Sequence, residues 1–207
     1  MKEIRVKANE AVLHRYNGIQ RDVMNQHYQM PAFDRSSGTG VLNIPFDRWN
    51  MKTRELEELT AINTDSPNEA GEAIRSLYVE IDISDDDTIT NYQANPTLHP
   101  YATVSSVKPG GQKALLHVMK HTRSSAGAGE LQLSDLPFNT NTARALSAAF
   151  MWPKDTNGDP VGIDRITVER GLYKVLERDD QLNRFLQDLG HRKPQSGVYV
   201  VDFTEKR

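Results

Sequence analysis

The chain has 207 residues and a formal net charge of −3, with 37% hydrophobic and 26% charged residues and no cysteine. This composition supports a folded core and excludes collagen, a disordered acidic tail, a coiled-coil rod, disulfides and cysteine-liganded metals. No apolar run approaches the roughly 20 residues that span a bilayer, and the first residues lack the apolar stretch of a secretory signal, so we expect a cytoplasmic protein with no membrane partner.

The first elements are read from the spacing of apolar residues. Over residues 2–8 apolar side chains alternate with charged ones, which predicts a half-buried strand. Asn9 is predicted to cap a short helix that runs to Tyr16. Residues 17–38 are polar and mixed, and we expect a long mobile loop there.

Two helices and two strands are predicted over the next segments. Residues 41–46 are typical of a short strand at a sheet edge, because Pro45 lacks a backbone donor. An acidic amphipathic helix is predicted over 52–62. A second helix begins at Ser66, where the sequence Ser-Pro-Asn-Glu has the pattern of a capping box, and it gives way to a strand over 77–83.

The middle of the chain is harder to assign. Residues 102–107 are typical of a strand, and the Lys-Pro-Gly-Gly sequence that follows is typical of a turn. Residues 112–122 fit either a strand of a hairpin or a helix, and their composition slightly favours the helix. A second mobile loop is predicted at 123–129.

The last third is predicted to alternate between strand and helix. We expect a strand over 131–136, a helix over 140–152, and helical apolar spacing over 168–189. Asp179 can cap the second part of that last region. A nearly all-apolar strand over 198–203 closes the sequence.

These elements together predict an α+β fold, in which helices pack on a mixed, mainly antiparallel sheet. The chain lacks a Gly/Ser linker, an internal repeat and a low-complexity segment. We therefore expect one domain that covers residues 1–207.

Charge is distributed unevenly along the chain. Residues 50–87 contain 11 acidic and 3 basic residues, whereas residues 88–129 contain 4 basic residues and no acidic one. A basic segment without carboxylates can approach the phosphate backbone of nucleic acid, and aromatic side chains within it can stack on bases. The main hypothesis is therefore a non-enzymatic protein that binds DNA or RNA through 88–129, or a subunit of a larger complex that does so. The residues expected to make contact are Lys108, Lys113, His117, Lys120, His121, Arg123 and Tyr101.

A first alternative is a metal-dependent phosphoryl-transfer enzyme. Glu80 and Asp82 lie two apart on a predicted strand and so share a face, where carboxylates can hold Mg²⁺. Asp202, on the last strand, is a third candidate catalytic carboxylate. Outside this alternative we expect no metal site and no cofactor.

A second alternative is a structural protein that assembles with itself. If the acidic segment of one copy meets the basic segment of the next, the contact joins two different surfaces. Such a contact builds rings or filaments and gives a homo-oligomer or larger complex.

Overall fold

The structure is a computed structural model, and it describes most of the chain. The described residues are 1–33, 40–48, 51, 53, 55, 57, 60–62, 64, 74–83, 97–104, 116–125, 129–133 and 146–204. The chain divides into two compact units, residues 1–21 with 41–120, and residues 22–40 with 121–207. The single domain expected from the sequence stays a prediction.

An antiparallel three-stranded sheet forms the centre of the first unit. Its strands are β1 (Glu3–Ala8), β2 (Ala11–Tyr16) and β3 (Leu77–Asp82), in the order β2-β1-β3. Ile4 and Val6 on β1 are completely buried. The predictions of a strand over 2–8 and of another over 77–83 are confirmed, because strict alternation places every second side chain in the core.

The predicted helix over 9–16 is wrong, since these residues form a tight turn and β2. Asn9 and Glu10 have φ of 47° and 68°, and Ala8 pairs directly with Ala11. Positive φ at both central residues of a two-residue loop defines a type I′ hairpin turn, which asparagine tolerates well. Asn9 therefore reverses the chain and does not cap a helix.

A short segment lies along the outer edge of β2. The N–H of Arg15 donates to the carbonyl of Val118 at 2.8 Å, and the N–H of Val118 donates to the carbonyl of Leu13 at 2.9 Å. These two bonds form a parallel β-bridge between His14 and Val118, so the backbone at Val118 is extended. The helix favoured for 112–122 is therefore wrong at its described residues, and residues 112–115 lie outside them.

Helix α1 (Gly18–His27) lies where the sequence predicted a loop over 17–38. The side chain of Asn17 accepts from the N–H of Gln20 at 2.8 Å, and the side chain of Gln20 accepts from the N–H of Asn17 at 2.9 Å. This reciprocal pair is a capping box, which satisfies two N–H groups at the start of the helix. The loop prediction is wrong there because it overlooked the Asn-x-x-Gln signal.

Among its described residues the second unit contains the end of α1, two antiparallel strand pairs and a further helix. Strand β4 (Ala148–Met151) pairs with β7 (Tyr199–Asp202), and β5 (Arg165–Arg170) pairs with β6 (Tyr173–Asp179). Helix α2 (Asp180–Leu189) follows β6 directly. All four residues of β7 are buried, which confirms the predicted last strand.

Two helices predicted in this unit are replaced by strands at their described residues. The end of the helix expected over 140–152 is β4, and the region 168–179, expected to be helical, is the hairpin of β5 and β6. Gly171 has φ of 60° and permits a turn that interrupts any helix. The predicted cap is confirmed, because Asp179 Oδ1 accepts from the N–H of Leu182 at 2.7 Å.

The α+β prediction is therefore wrong. The described residues form antiparallel strand pairs and sheets with two ten-residue helices, and these helices do not cover a sheet. Neither helix in the described part of the chain has the length and apolar character needed to cross a membrane.

The remaining predicted elements are described only in part. Within the helix expected over 52–62, Glu55 and Glu57 are helical, and the N–H of Glu57 donates to the carbonyl of Thr53 at 3.2 Å. The helix expected to begin at Ser66 lies mostly outside the described residues. No described residue of the strands predicted at 41–46, 102–107 and 131–136 is in a strand, and the loop predicted at 123–129 is described at 123–125 and 129.

Candidate functional site

Helix α2 packs its polar side inward. Asn183 and Gln187 lie one turn apart and are each only 2% exposed. Their side-chain amides both donate to the carbonyl of Val200 on β7, at 2.9 Å each. Because a buried carbonyl needs a partner, these two amides fix the rotation of α2 about its own axis.

The opposite side of α2 is apolar and exposed. Leu182, Phe185 and Leu189 are 43%, 61% and 63% exposed, and they recur at the three- and four-residue spacing of one helix face. We call these three residues the apolar stripe. The exposed carboxylate of Asp188 lies next to Leu189 in the sequence. An amphipathic helix normally buries its apolar face and exposes its polar face. Helix α2 does the reverse, and we therefore call it inverted.

The hairpin of β5 and β6 ends in a second exposed apolar surface. Gly171 and Leu172 form its two-residue turn, and positive φ at Gly171 but not at Leu172 gives a type II′ turn. Leu172 is fully exposed and Tyr173 is 81% exposed. We call residues 170–173 the hairpin tip.

Beneath these surfaces the second unit buries a charge pair. The guanidinium Nε of Arg192 donates to Asp202 Oδ2 at 2.9 Å, and both residues are less than 10% exposed. The N–H of Thr204 donates to Asp202 Oδ1 at 2.7 Å, and the Thr204 hydroxyl donates to the same oxygen. His27 is fully buried, with its Nε2 at 3.6 Å from Asp202 Oδ2.

These partners set the ionisation of Asp202. Burial alone would raise the pKa of this carboxyl, but the contacts with His27, Thr204 and Arg192 outweigh burial and hold its pKa far below the ordinary value. Asp202 is therefore charged in the fold and stabilises it above the pKa of the unfolded chain. That stabilisation is lost as the pH falls toward the folded value.

Aromatic rings enclose the buried pair. The ring of His27 contacts those of Tyr28 and Phe150 edge-on, at centroid distances of 5.0 and 5.2 Å. The Arg192 guanidinium lies 5.0 Å from the centroid of Tyr28, which is a cation–π geometry. These contacts hold β7 at Asp202, and β7 in turn accepts the two side-chain amides of α2 at the carbonyl of Val200.

The end of α2 positions Arg192. His191 has φ of 56°, its N–H donates to the carbonyl of Asp188, and the N–H of Arg192 donates to the carbonyl of Gln187 at 2.8 Å. This is a Schellman motif, which normally places glycine at the left-handed position. Here His191 occupies that position, and Gly190 precedes it with φ of −80°.

The structure surrounds the predicted carboxylates Glu80 and Asp82 with cations. Arg5 Nε donates to Glu80 at 2.9 Å and its NH2 donates to Asp82 at 3.0 Å, while Lys7 Nζ donates to Glu80 at 2.7 Å. The bond from Lys7 is the largest contribution that lowers the pKa of Glu80. Asp202, the third candidate, belongs to the other unit and pairs with Arg192.

No group of three or more possible metal ligands occurs among the described residues. A catalytic role of the three carboxylates stays a prediction.

The predicted basic contact residues are only partly described. Tyr101 is 93% exposed, and Lys120, His121 and Arg123 are exposed, while His117 is half-buried beside the bridge at Val118. Lys108 and Lys113 lie outside the described residues.

Sequence reasoning missed the apolar stripe and the hairpin tip. Leu172, Phe185 and Leu189 have helical spacing, and such spacing predicts a buried face. The available signal was the amide pair Asn183 and Gln187 at helical spacing, which offers donors to a neighbouring backbone. The amide pair shows that this face of the helix can be buried, but the pair alone does not require its burial.

Comparison with known protein families gives two adjacent matches. The family model described as viral coat protein P2 N-terminal domain matches residues 1–105, and that described as viral coat protein P2 C-terminal domain matches residues 115–207. Searches of curated proteins and of solved structures found no match.

Proposed function

This chain belongs to the viral coat protein P2 family, and we propose that it is a structural subunit that assembles with further copies of itself into the shell of a virus particle. The inverted helix α2 supports this proposal most directly. Its polar face makes the contacts within the unit, and its apolar stripe is left for contacts outside. Exposed apolar surface of this kind marks protein interaction sites.

The family overturns the main hypothesis from the sequence. A structural coat protein fits the self-assembly alternative, and it fits neither the nucleic-acid-binding protein nor the phosphoryl-transfer enzyme. The error came from treating the acid-free segment 88–129 as evidence for a phosphate partner. A count of acidic and basic residues shows neither which surface a segment forms nor what covers that surface. Part of this segment pairs with the protein itself, because Val118 bridges to β2.

The expected location changes with the function. A coat subunit is part of the virus particle, so the predicted cytoplasmic location is replaced by the virion. The sequence alternative attributed assembly to paired acidic and basic surfaces. That mechanism stays a prediction, and the exposed apolar side chains support a different one.

The direct test is assembly of the purified chain. We expect light scattering to rise with protein concentration and electron microscopy to show particles of uniform size. Phe185→Asp should prevent their formation, because it places a charge in the apolar stripe. The matched control is Val161→Asp, at an exposed apolar residue in a loop of the same unit. A wild-type chain that stays monomeric at every concentration would refute the proposed function.

Salt distinguishes the two mechanisms of assembly. Contacts between exposed charges weaken as the Debye length falls from about 10 Å at 0.1 M to about 3 Å at 1 M salt. Apolar contacts persist, and they strengthen in sulfate. Particles that remain intact in 1 M sulfate support the apolar stripe, whereas dissolution at high salt favours the paired acidic and basic segments.

A further inference from the structure

We infer that the hairpin tip of one copy docks on the apolar stripe of a second copy, with Arg170 of the tip facing Asp188 beside the stripe. This inference rests on the proposed function, because it names the partner and the contact surfaces of the coat subunit.

The hairpin tip is not covered by its own unit. Strand β6 runs from the tip to the start of α2 and has seven residues, Tyr173–Asp179. At the rise of an extended strand this is a separation of about 23 Å. Leu172 is also fully exposed. The tip is therefore open to contact with the apolar stripe of a second molecule.

The two surfaces match in chemistry and form. The tip projects Leu172 and Tyr173 from a tight turn whose backbone is held by strand pairing. The stripe offers Phe185 and Leu189 on a helix whose rotation is fixed by two buried amides. Both surfaces are apolar and on rigid elements, so burying one against the other removes apolar area from water at little cost in ordering.

Charge sets the direction of docking. Near the tip, Lys174 is already paired with Glu177 at 2.8 Å, and on α2 Asp180 is paired with Arg184 at 2.9 Å. Arg170 and Asp188 are both exposed, and neither makes an ion pair or side-chain hydrogen bond in the described residues. Opposite charges beside two apolar surfaces favour tip against stripe over tip against tip.

This contact joins two different surfaces and so leaves one tip and one stripe unused in every pair. Repetition of the same contact therefore adds subunits and closes only when the rotation between neighbours allows a ring. One tip presents few side chains, and a standard stable interface buries about 800 Å² per partner. A single contact is therefore weak, and it must be trapped to be seen between two chains.

The absence of cysteine from the chain makes trapping specific. One variant has Tyr173→Cys in the tip and a second, carrying a mass tag, has Leu189→Cys in the stripe. After mild oxidation of an equal mixture, we expect the heterodimer to exceed the statistical half of all dimers. A chain with both substitutions should give a ladder of covalent oligomers. Val161→Cys paired with either variant is the control for random collision.

Charge reversal tests the direction of docking. Arg170→Glu in the tip variant, or Asp188→Arg in the stripe variant, should lower heterodimer yield about two- to fivefold, the range of an exposed ion pair. Combining the two reversed chains should restore the yield, which loss of folding cannot explain.

The outcomes separate the inference from the proposed function. Statistical dimers equal to the Val161→Cys control overturn the docking inference, and so does an excess of tip homodimers, even if the wild-type chain forms particles. If the heterodimer is enriched but wild type forms no particles, the docking inference holds and the proposed coat function fails.

Discussion

The two units place their main ion pairs differently. In the first unit, charges cross between strands on a partly exposed face of the sheet, where Arg5 alone contacts Glu3, Glu80 and Asp82. In the second unit, the pair of Arg192 and Asp202 is buried, while Leu172 and Phe185 are exposed. The first arrangement suits a surface that stays in water. The second suits a surface that is covered when subunits meet.

The buried imidazoles of the two units also differ in their surroundings. His14 in the first unit has neutral hydrogen-bond partners, with its Nε2 3.0 Å from the carbonyl of Leu116 and its Nδ1 3.4 Å from the hydroxyl of Tyr16. His27 in the second unit lies beside a carboxylate and a guanidinium. The buried imidazole of the first unit therefore has neutral hydrogen-bond partners, although Arg21 is also buried in that unit, whereas the buried imidazole of the second unit lies beside an ion pair.

The largest effect is expected from removing one member of the buried pair. Arg192→Met leaves Asp202 charged, buried and without its main cation, which should cost about 3–5 kcal/mol of unfolding free energy. In a Trp49→Phe background, Trp152 is the only tryptophan and stacks on Phe150 at 6.1 Å, so its fluorescence reports the second unit. Denaturant titration measures the loss.

The matched control for that substitution is Arg165→Met. Arg165 is also ion-paired, to Glu177 at 3.3 Å, but its side chain is 71% exposed. We expect its unfolding midpoint to stay close to that of the parent. Equal losses in the two variants would contradict a buried, stabilising charge in the second unit.

A smaller effect is expected from acid in the first unit. Burial lowers the pKa of His14 from its usual value near 6.5 to about 4, so the folded chain binds this proton later than the unfolded chain. The stabilisation is present above pH 6.5 and is lost as the pH falls toward 4. Between pH 7 and pH 5 the loss should be about 2 kcal/mol.

Equilibrium unfolding at the two pH values measures this loss. His14→Phe should flatten the pH dependence of the unfolding free energy. The control is His191→Asn, which should leave that dependence unchanged, because His191 is exposed and asparagine tolerates its left-handed backbone. An unchanged slope in His14→Phe would mean that His14 is not the group that titrates.

The smallest effect is expected on the charged face of the first sheet. Arg5→Met removes three ion pairs with side chains that are partly in water, and solvent screens each of them. The melting temperature should fall modestly in low salt, and the gap to wild type should narrow in 1 M salt. If the gap is large and independent of salt, this face is buried more deeply than the structure shows.

Local signals in the sequence predicted β1, β3, α2 and β7 correctly. The apolar residues of β1, β3 and α2 each keep one period, β7 is apolar at nearly every position, and Asp179 caps α2 by the expected bond. The hairpin of β5 and β6 was missed because its alternation is broken twice. A bulge near Val175 shifts the phase, and the buried residue at 178 is an arginine instead of an apolar side chain.

The candidate site was less accessible to such reasoning. Apolar spacing along 182–189 predicted a buried face, and the face that is buried contains Asn183 and Gln187 instead. Which face of a helix contacts its own chain depends on a carbonyl of β7, which follows α2 in the sequence. The spacing of apolar residues along α2 contains no information on that carbonyl. In the sequence, an apolar face that stays exposed therefore has the same pattern as one that is buried in the core.

The interleaved order of the two units has a consequence for synthesis on the ribosome. Residues 22–40 cluster with residues 121–207, so this early segment emerges long before its partners. Some 160 further residues separate it from β7, which at about 5–20 residues per second is a delay of roughly 10–30 s. Throughout this time His27 lacks Asp202. Helix α2 is itself made only shortly before β7, whose carbonyl fixes its rotation. The timing of translation therefore postpones the appearance of a binding-competent surface and limits premature association of nascent chains on one polysome.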